Sequence, residues 1–365
     1  MIPLRLPVTT LALLDPLIVR LRSGGEPDAY SVEGHDAVLQ SWQGGLAEYD
    51  AGGISLSVRI DDPDMVDGDI LLIPPQSRTA HRLIRARSDH NTLLVTERCD
   101  QLCIMCSQPP KTQHFDLFDS FSEACRIAPY GQYIGISGGE PLLLKTRLFD
   151  FLASMSMLRP DLRFHVLTNG QHFTEADMEL VEALGAERVL WGIPLYSPDA
   201  ADHDRIVGKN GAYDILVDNL ARLTRAGASI ELRTVVMRSN INALPDLAQF
   251  ITTRLPALQV WAIMQMERIG FGRLNWEREF CDTSLDFTPV GMALDIASAR
   301  ALPVSLYNFP LCTVPAIWRD HAAASISDWK QKYIAKCQAC SRQHLCSGFF
   351  EWSPEDGGFE RIVPL

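Results

Sequence analysis

The sequence predicts an α/β fold in three parts: a small β-rich N-terminal unit over residues 1–90, a partial (β/α)6 TIM-like barrel over 91–302, and a cysteine-rich C-terminal extension over 303–365. Three observations carry that prediction. From Leu93 onward, short β-branched runs alternate with amphipathic stretches, the texture of parallel strands joined by helices. The first 90 residues instead mix short apolar stretches with Gly, Asp and Pro, as in GGISLSVRIDDPD and DGDILLIPP, the texture of short strands and turns. Seven of the nine cysteines fall into two groups, Cys99, Cys103 and Cys106, then Cys312, Cys337, Cys340 and Cys346.

The elements of the central part follow in order. TLLVT reads as its first strand, with a helix after Phe115; YIGIS from Tyr133 is the second, followed by the helical LFDFLASMSML from Leu148. FHVLT, RVLWGIP, ELRTVVM and LQVWAIM supply further strands, and ADMELVEALG, YDILVDNLARLTRAG and LPDLAQFITTRL the helices between them. A last helix near Pro289 to Ala299 precedes the extension. Parallel barrels set their chemistry at the carboxyl ends of strands, where the loops converge.

With 33 basic against 45 acidic residues and a net charge of -12, the chain is a poor candidate for broad nucleic-acid binding, which rests on neutralising phosphates. The apolar start, MIPLRLPVTTLALLDPLIVRL, is broken by Pro7, Asp15 and Pro16, and fits neither a signal peptide nor a membrane span. A cytoplasmic location is the default expectation, and there thiols stay reduced and serve as ligands more often than as disulfides. Cys125 and Cys281, standing apart, read as packing residues.

TLLVTERCDQLCIMCSQPPK places Cys99, Cys103 and Cys106 in C-x3-C-x2-C spacing just after the first strand. A cubane [4Fe-4S] cluster held by three thiolates keeps one iron open, and the amine and carboxylate of an amino acid can chelate it. Zinc is the competing reading, with His114 as nearest fourth ligand. In ISGGEPLL, Gly138 and Gly139 free the backbone for close approach to a ligand and for positive φ angles, while Glu140 offers an acceptor to an ammonium. The alternative is an ordinary strand-to-helix turn with an acid near the helix start. Thr168, Asn169 and Gly170 end the third strand as a polar turn that could meet a ribose. Arg233 lies inside an apolar run and demands an anionic partner, either a ligand carboxylate or Glu231.

His203, Asp204 and Arg205, in the loop LYSPDAADHDRIVGKNGAYD, are candidate substrate contacts, with surface salt bridging as the alternative. Cys312, Cys337, Cys340 and Cys346 supply four thiolates, enough to fill every position of one cubane cluster or of one zinc; His344 is a spare donor. Arg78, Arg82, Arg85 and Arg87 could attract an acidic leader peptide, which an edge strand of the N-terminal unit could receive. No side chain is assigned as a catalytic acid, base or radical quencher.

CDQLCIMC resembles the signature of the radical S-adenosylmethionine superfamily, and ISGGEPLL resembles the motif that follows its second strand; Met105 stands where the superfamily usually has an aromatic residue. The resemblance implies S-adenosyl-L-methionine bound at a 4Fe-4S cluster with an open iron, and a 5'-deoxyadenosyl radical that abstracts hydrogen from a substrate. Gly138, Gly139, Glu140, Thr168, Asn169 and Arg233 would then line the cofactor site. The tail cysteines resemble the auxiliary-cluster extension of radical enzymes that modify ribosomally made peptides, implying one auxiliary 4Fe-4S cluster. The flanking words TERC and MCSQPPK, with the extra N-terminal unit, resemble the HxsC-type maturases of the His-Xaa-Ser peptide system. That narrower resemblance implies a precursor peptide substrate, a crosslink or related modification, a second radical maturase as partner, and an electron donor such as flavodoxin or ferredoxin. A small-molecule substrate and a non-enzymatic metal scaffold are the alternatives.

Overall fold

The computed structural model describes residues 2–10, 13–24, 32, 34–255 and 257–365; Met1, Leu11 and Ala12 of the apolar start lie outside the described residues. Strands β1 (Arg5–Thr10), β2 (Leu17–Arg22), β3 (Asp36–Gln43), β4 (Leu46–Ala51), β5 (Ile54–Arg59), β6 (Ile70–Ile73) and β7 (Thr79–Ile84) close into a barrel in the order β1-β5-β4-β3-β2-β6-β7. Alternation selects its interior: Leu6 and Val8, Ala47 and Tyr49, Leu56 and Val58 point inward and are buried. Closure has a consequence for docking. Each of the seven strands is paired on both sides, so the strand addition expected of this unit has no free edge to use.

The central part is a seven-stranded sheet made of β8 (Asn91–Thr96), β9 (Tyr133–Gly138), β10 (Arg163–Leu167), β11 (Val189–Pro194), β12 (Ser229–Val236), β13 (Val260–Gln265) and β14 (Val304–Tyr307). Every neighbour is parallel and next in sequence, so right-handed crossovers put the connecting helices on one face. These are α1 (Phe118–Arg126), α2 (Lys145–Leu158), α3 (Met178–Leu184), α4 (Ala200–Val207), α5 (Ala212–Arg225) and α6 (Leu244–Arg254); α7 (Gly270–Leu274), α8 (Trp276–Glu279) and α9 (Thr288–Ala299) follow β13. The sheet has seven strands where six units were expected. The additional strand is β14, and residues 195–214, expected as a loop, include the helix Ala200–Val207.

Strand residues Ile134, Ile136, Phe164, Val166, Trp191, Leu232 and Ile263 form one core with Phe149, Leu152, Leu220 and Leu294 of the helices. Ile18, Ile70, Leu72 and Ile84, from the outside of the N-terminal barrel, join that same core beside Phe118 and Phe121. The barrel is therefore docked on α1 through apolar contact. The extension is irregular, with short 3-10 turns and one antiparallel pair, β15 (Gln331–Lys332) and β16 (Phe349–Phe350). Among the described residues no helix is long and apolar enough to cross a membrane.

Candidate functional site

The Cys99–Cys106 loop leaves the carboxyl end of β8 and is gripped from three sides by main-chain hydrogen bonds. On the β9 side the amides of Gly139 and Glu140 donate to Thr96 O and Arg98 O, both at 2.8 Å. The C-terminal end of α4 accepts from Leu102 N and Ile104 N through Val207 O and Ile206 O, each at 3.0 Å. From α7, Phe271 N donates to Cys106 O at 2.8 Å, and the Asn275 amide donates to Ile104 O at 2.8 Å. The approach on the β9 side explains the paired glycines. A Cβ on Gly139 would lie 2.2 Å from Arg98 O, and one on Gly138 2.5 Å from Thr96 O. Neither glycine has a positive φ, so the expected backbone freedom is not what is used; the space is, and it receives the cysteine loop itself.

A polar network ties this loop to the predicted cofactor residues. Glu140 is fully buried, and its Oε1 accepts from Leu142 N (2.8 Å) and Thr168 Oγ1 (2.6 Å) while Oε2 accepts from Asn169 N (2.6 Å). Burial raises the Glu140 pKa, and those three donors oppose the rise. The Asn169 amide reaches on to Asp100 Oδ1 at 2.8 Å, inside the cysteine loop. Asp100 also lies 3.2 Å from His172 Nε2 and accepts from Lys209 Nζ. Hydrogen bonding from His172, Lys209 and Asn169 holds its carboxyl below the usual range against the opposing effect of burial. The structure thus brings Glu140, Thr168 and Asn169 together as a brace for the cysteine loop. Sequence reasoning missed Asp100, His172 and Lys209, and equally Gly270 and Gly272, whose Cβ atoms would lie 2.5 Å from Cys106 O and 2.4 Å from Glu267 O.

The three thiols are half-buried and influence one another. Burial pushes Cys99 up to about 11, with Glu140, Asp100 and Cys106 adding to the rise; burial raises Cys103 and Cys106 as well. Met105 is buried among Tyr196, Met237, Met266 and Phe280, so an apolar side chain does fill the position. Tyr196 stands near Cys103, Cys106 and Arg233. His114 is beside Asp116 instead.

The sheet face opposite the helices is polar. His165 on β10 stacks on Tyr133 of β9 at 6.0 Å and lies 3.4 Å from Glu231 on β12, across β11. Gly192 on β11 makes that crossing possible, because a Cβ there would sit 2.7 Å from His165 Nε2. Glu231 also bonds Arg233, and Tyr307 Oη lies 3.4 Å away. Burial pushes the Glu231 carboxyl up, but the His165 contact and the Arg233 charge outweigh it and bring it to about 2. Of the two partners open to Arg233, the structure shows Glu231.

The other candidates have partners within the chain. His203 is buried, stacked on Tyr196 at 5.8 Å, and accepts from Tyr196 N at 3.3 Å. Asp204 accepts from Tyr213 N (2.8 Å) and Gly211 N, fixing the turn into α5, and Arg205 pairs with Asp202 at the surface. Arg82 pairs with buried Asp69 and Arg85 with Asp328, leaving Arg78 and Arg87 as the exposed members of the N-terminal arginine group.

In the extension, Cys312, Cys337, Cys340 and Cys346 line one small hollow, partly open to solvent, together with Tyr333 and Phe349. Leu311 N and Gly348 N both donate to Cys346 Sγ at 3.3 Å. Burial pushes Cys312 up to about 11, reinforced by the other three thiols. His344 is exposed and does not line the hollow.

Residues 93–251, a little under half of the chain, match the Radical SAM superfamily. The GTP 3',8-cyclase of Nautilia profundicola is 27% identical over 190 residues, covering 49% of this chain and 58% of that protein. The PqqA peptide cyclase of Granulibacter bethesdensis is 25% identical over 278 residues, covering 72% of this chain and 71% of that one. The crystal structure of Streptococcus suis SuiB bound to S-adenosylmethionine superposes with a TM-score of 0.50 at 13% identity, over 59% of this chain and 49% of SuiB, a likeness of fold. The chain therefore spans a little over half the length of the curated cyclase it matches. The match to the Radical SAM superfamily over residues 93–251 is supported by three cysteines on the loop of the first strand of a sequentially ordered parallel sheet.

Proposed function

We propose that this chain is a radical S-adenosylmethionine maturase of a gene-encoded precursor peptide, of the HxsC type, that installs a crosslink or related modification. The observation that carries the reading is the three-thiol loop: Cys99, Cys103 and Cys106 are held by main-chain bonds at a strand's carboxyl end, with a fully braced Glu140 behind them. Such a donor set suits a cluster with one iron free of protein ligands. In the tail hollow, four thiols can fill every position of a cubane cluster.

When bound, the cluster and S-adenosyl-L-methionine supply reductive C–S cleavage and hydrogen abstraction from an unactivated C–H bond. The chain contributes position and surroundings. The brace from Glu140 to Asp100 fixes the cysteine loop, and Gly138, Gly139, Thr168, Asn169 and Arg233 border the cofactor. Met105, Tyr196 and Met266 keep water from the underside of the loop. A peptide substrate is supported by the likeness to the PqqA peptide cyclase over 72% of the chain, against 49% for the GTP cyclase, and by the four tail cysteines. The words TERC and MCSQPPK support the HxsC type, and with it a second maturase and a flavodoxin or ferredoxin donor.

Anaerobic reconstitution tests the reading. The expected result is iron and sulfide in both cysteine sites, 5'-deoxyadenosine that appears only with reductant and disappears in Cys103→Ala, and a mass change in a precursor peptide encoded beside this gene. Zinc in place of iron at the first site, or an iron centre that makes no 5'-deoxyadenosine, overturns it.

A further inference from the structure

The last residues of the chain form a strap between the two cysteine groups. Phe359 is half-buried and packs against two cores at once. One contains Met105, Tyr196, Met266 and Phe280, and Cys103 rests on it; the other contains Ile334, Phe349 and Ile362, with Cys312 and Cys337 against it. The aromatic path between them is continuous. Trp276 stacks on Phe280 with centroids 4.0 Å apart, Phe280 meets Phe359 edge-on at 5.4 Å, and Phe359 lies 6.4 Å from Phe349.

Both ends of the path touch a cysteine group. Phe349, Ile362 and Pro364 line the tail hollow. Trp276 and Phe280 belong to the segment that begins with α7, whose Phe271 amide and Asn275 side chain hold Cys106 O and Ile104 O. The strap is pinned in between, as Glu360 N donates to Asp282 Oδ2 at 2.8 Å and Arg361 N to Ser284 Oγ at 3.1 Å. Interiors packed at crystal-like density pass a displacement on to their neighbours. With no metal, nothing covalent joins Cys312, Cys337, Cys340 and Cys346; a shared ligand would fix all four, and Phe349 and the strap with them.

We propose that Phe359 is a positioning residue that couples the two cysteine sites: filling the tail site fixes the strap, and the strap holds residues 270–280, and through them the Cys99–Cys106 loop, in the conformation that receives its cluster. This rests on the reading of both groups as metal sites. It gives the tail centre a mechanical role that is separate from any electron transfer.

The test uses the full chain, reconstituted anaerobically with iron and sulfide, and reads amide hydrogen exchange at residues 102–107 and 270–275. Emptying the tail with Cys337→Ala and Cys340→Ala should speed exchange there by about tenfold or more, as in local opening. Phe359→Ala should do the same while tail iron is retained, and should abolish the change in the first cluster's electron paramagnetic resonance spectrum on adding S-adenosylmethionine. Phe359→Leu, which keeps the apolar volume, should restore both. Loop exchange that ignores an emptied tail, or ignores Phe359→Ala with the tail loaded, overturns the coupling while leaving the metal reading intact. A wild-type tail that takes up no metal overturns both, and metal content tells the two failures apart.

Discussion

Gly139 shows how one missing methyl group builds a site. Its amide donates to Thr96 O, and a Cβ would stand 2.2 Å from the Arg98 carbonyl oxygen and 2.5 Å from its carbon, main-chain atoms that cannot rotate away. Gly139→Ala must therefore push the cysteine loop off the end of β9. Overpacking of this kind costs about 1–3 kcal/mol, and the expected outcome is a chain that folds with a lower melting point and retains less than half the wild-type iron at the first site. Wild-type iron content with an unchanged melting point would show that the glycine matters for neither. The two glycines and the three cysteines were legible in the sequence because each departs from ordinary composition within a few residues. Asp100 was not: its partners Asn169, His172 and Lys209 are 69 to 109 residues away, and no local pattern announces such a meeting. The sequence offers Glu140 as an acceptor, but its brace to Thr168 and Asn169, 28 and 29 residues on, is not visible in the local motif.

Elements long and apolar enough to carry a period were legible, and the strands from TLLVT to LQVWAIM fall where their β-branched runs lie. The elements missed are short or buried through unusual residues. β14 has four residues, α7 opens on a glycine, and α4 buries His203 beside Ile206 and Val207, so one apolar position of its stripe is written as a histidine. That histidine makes the docking of α4 sensitive to pH. It is enclosed by Tyr196 and Tyr213, and burial lowers its pKa from 6.5 to about 4, the Asp204 charge opposing. Between those values the unfolded chain binds a proton that the folded one refuses, so stability is complete above about pH 6.5 and declines as pH falls toward 4, by up to about 3 kcal/mol from this group. In His203→Gln the decline should be shallower. Denaturation midpoints of wild type and variant at pH 7 and pH 4.5 check this: the gap between them should narrow by about half at the lower pH, and a constant gap would remove His203 as the cause.

At the scale of the whole molecule, the three parts are joined by contacts that no single segment of sequence encodes. The β-rich texture of the first 90 residues was readable, but closure of its seven strands depends on β1 pairing with both β5 and β7 across more than 40 residues. Closure is what removes the free edge. Arg85, one of the arginines that looked available to a leader peptide, is instead buried and bidentate to Asp328 in the extension, with Nη1 to Oδ2 at 2.7 Å and Nη2 to Oδ1 at 2.5 Å. Ser88 Oγ accepts a further bond from the Arg85 guanidinium, and Asn91 at the start of β8 binds the Arg85 backbone through both its amide oxygen and nitrogen. One side chain thus fastens the link between the N-terminal barrel and the sheet to the segment between Cys312 and Cys337. Removing it leaves Asp328 without its countercharge and opens a void at the junction, a loss of about 1–3 kcal/mol given that Asp328 is partly exposed. In Arg85→Ala, limited proteolysis should cut residues 323–345 sooner than in wild type, with the N-terminal barrel still protected. Arg85→Lys should not restore the protection, because a single ammonium cannot span both carboxylate oxygens as the planar guanidinium does. Equal cleavage rates in all three proteins would show that the extension is held by its apolar contacts alone.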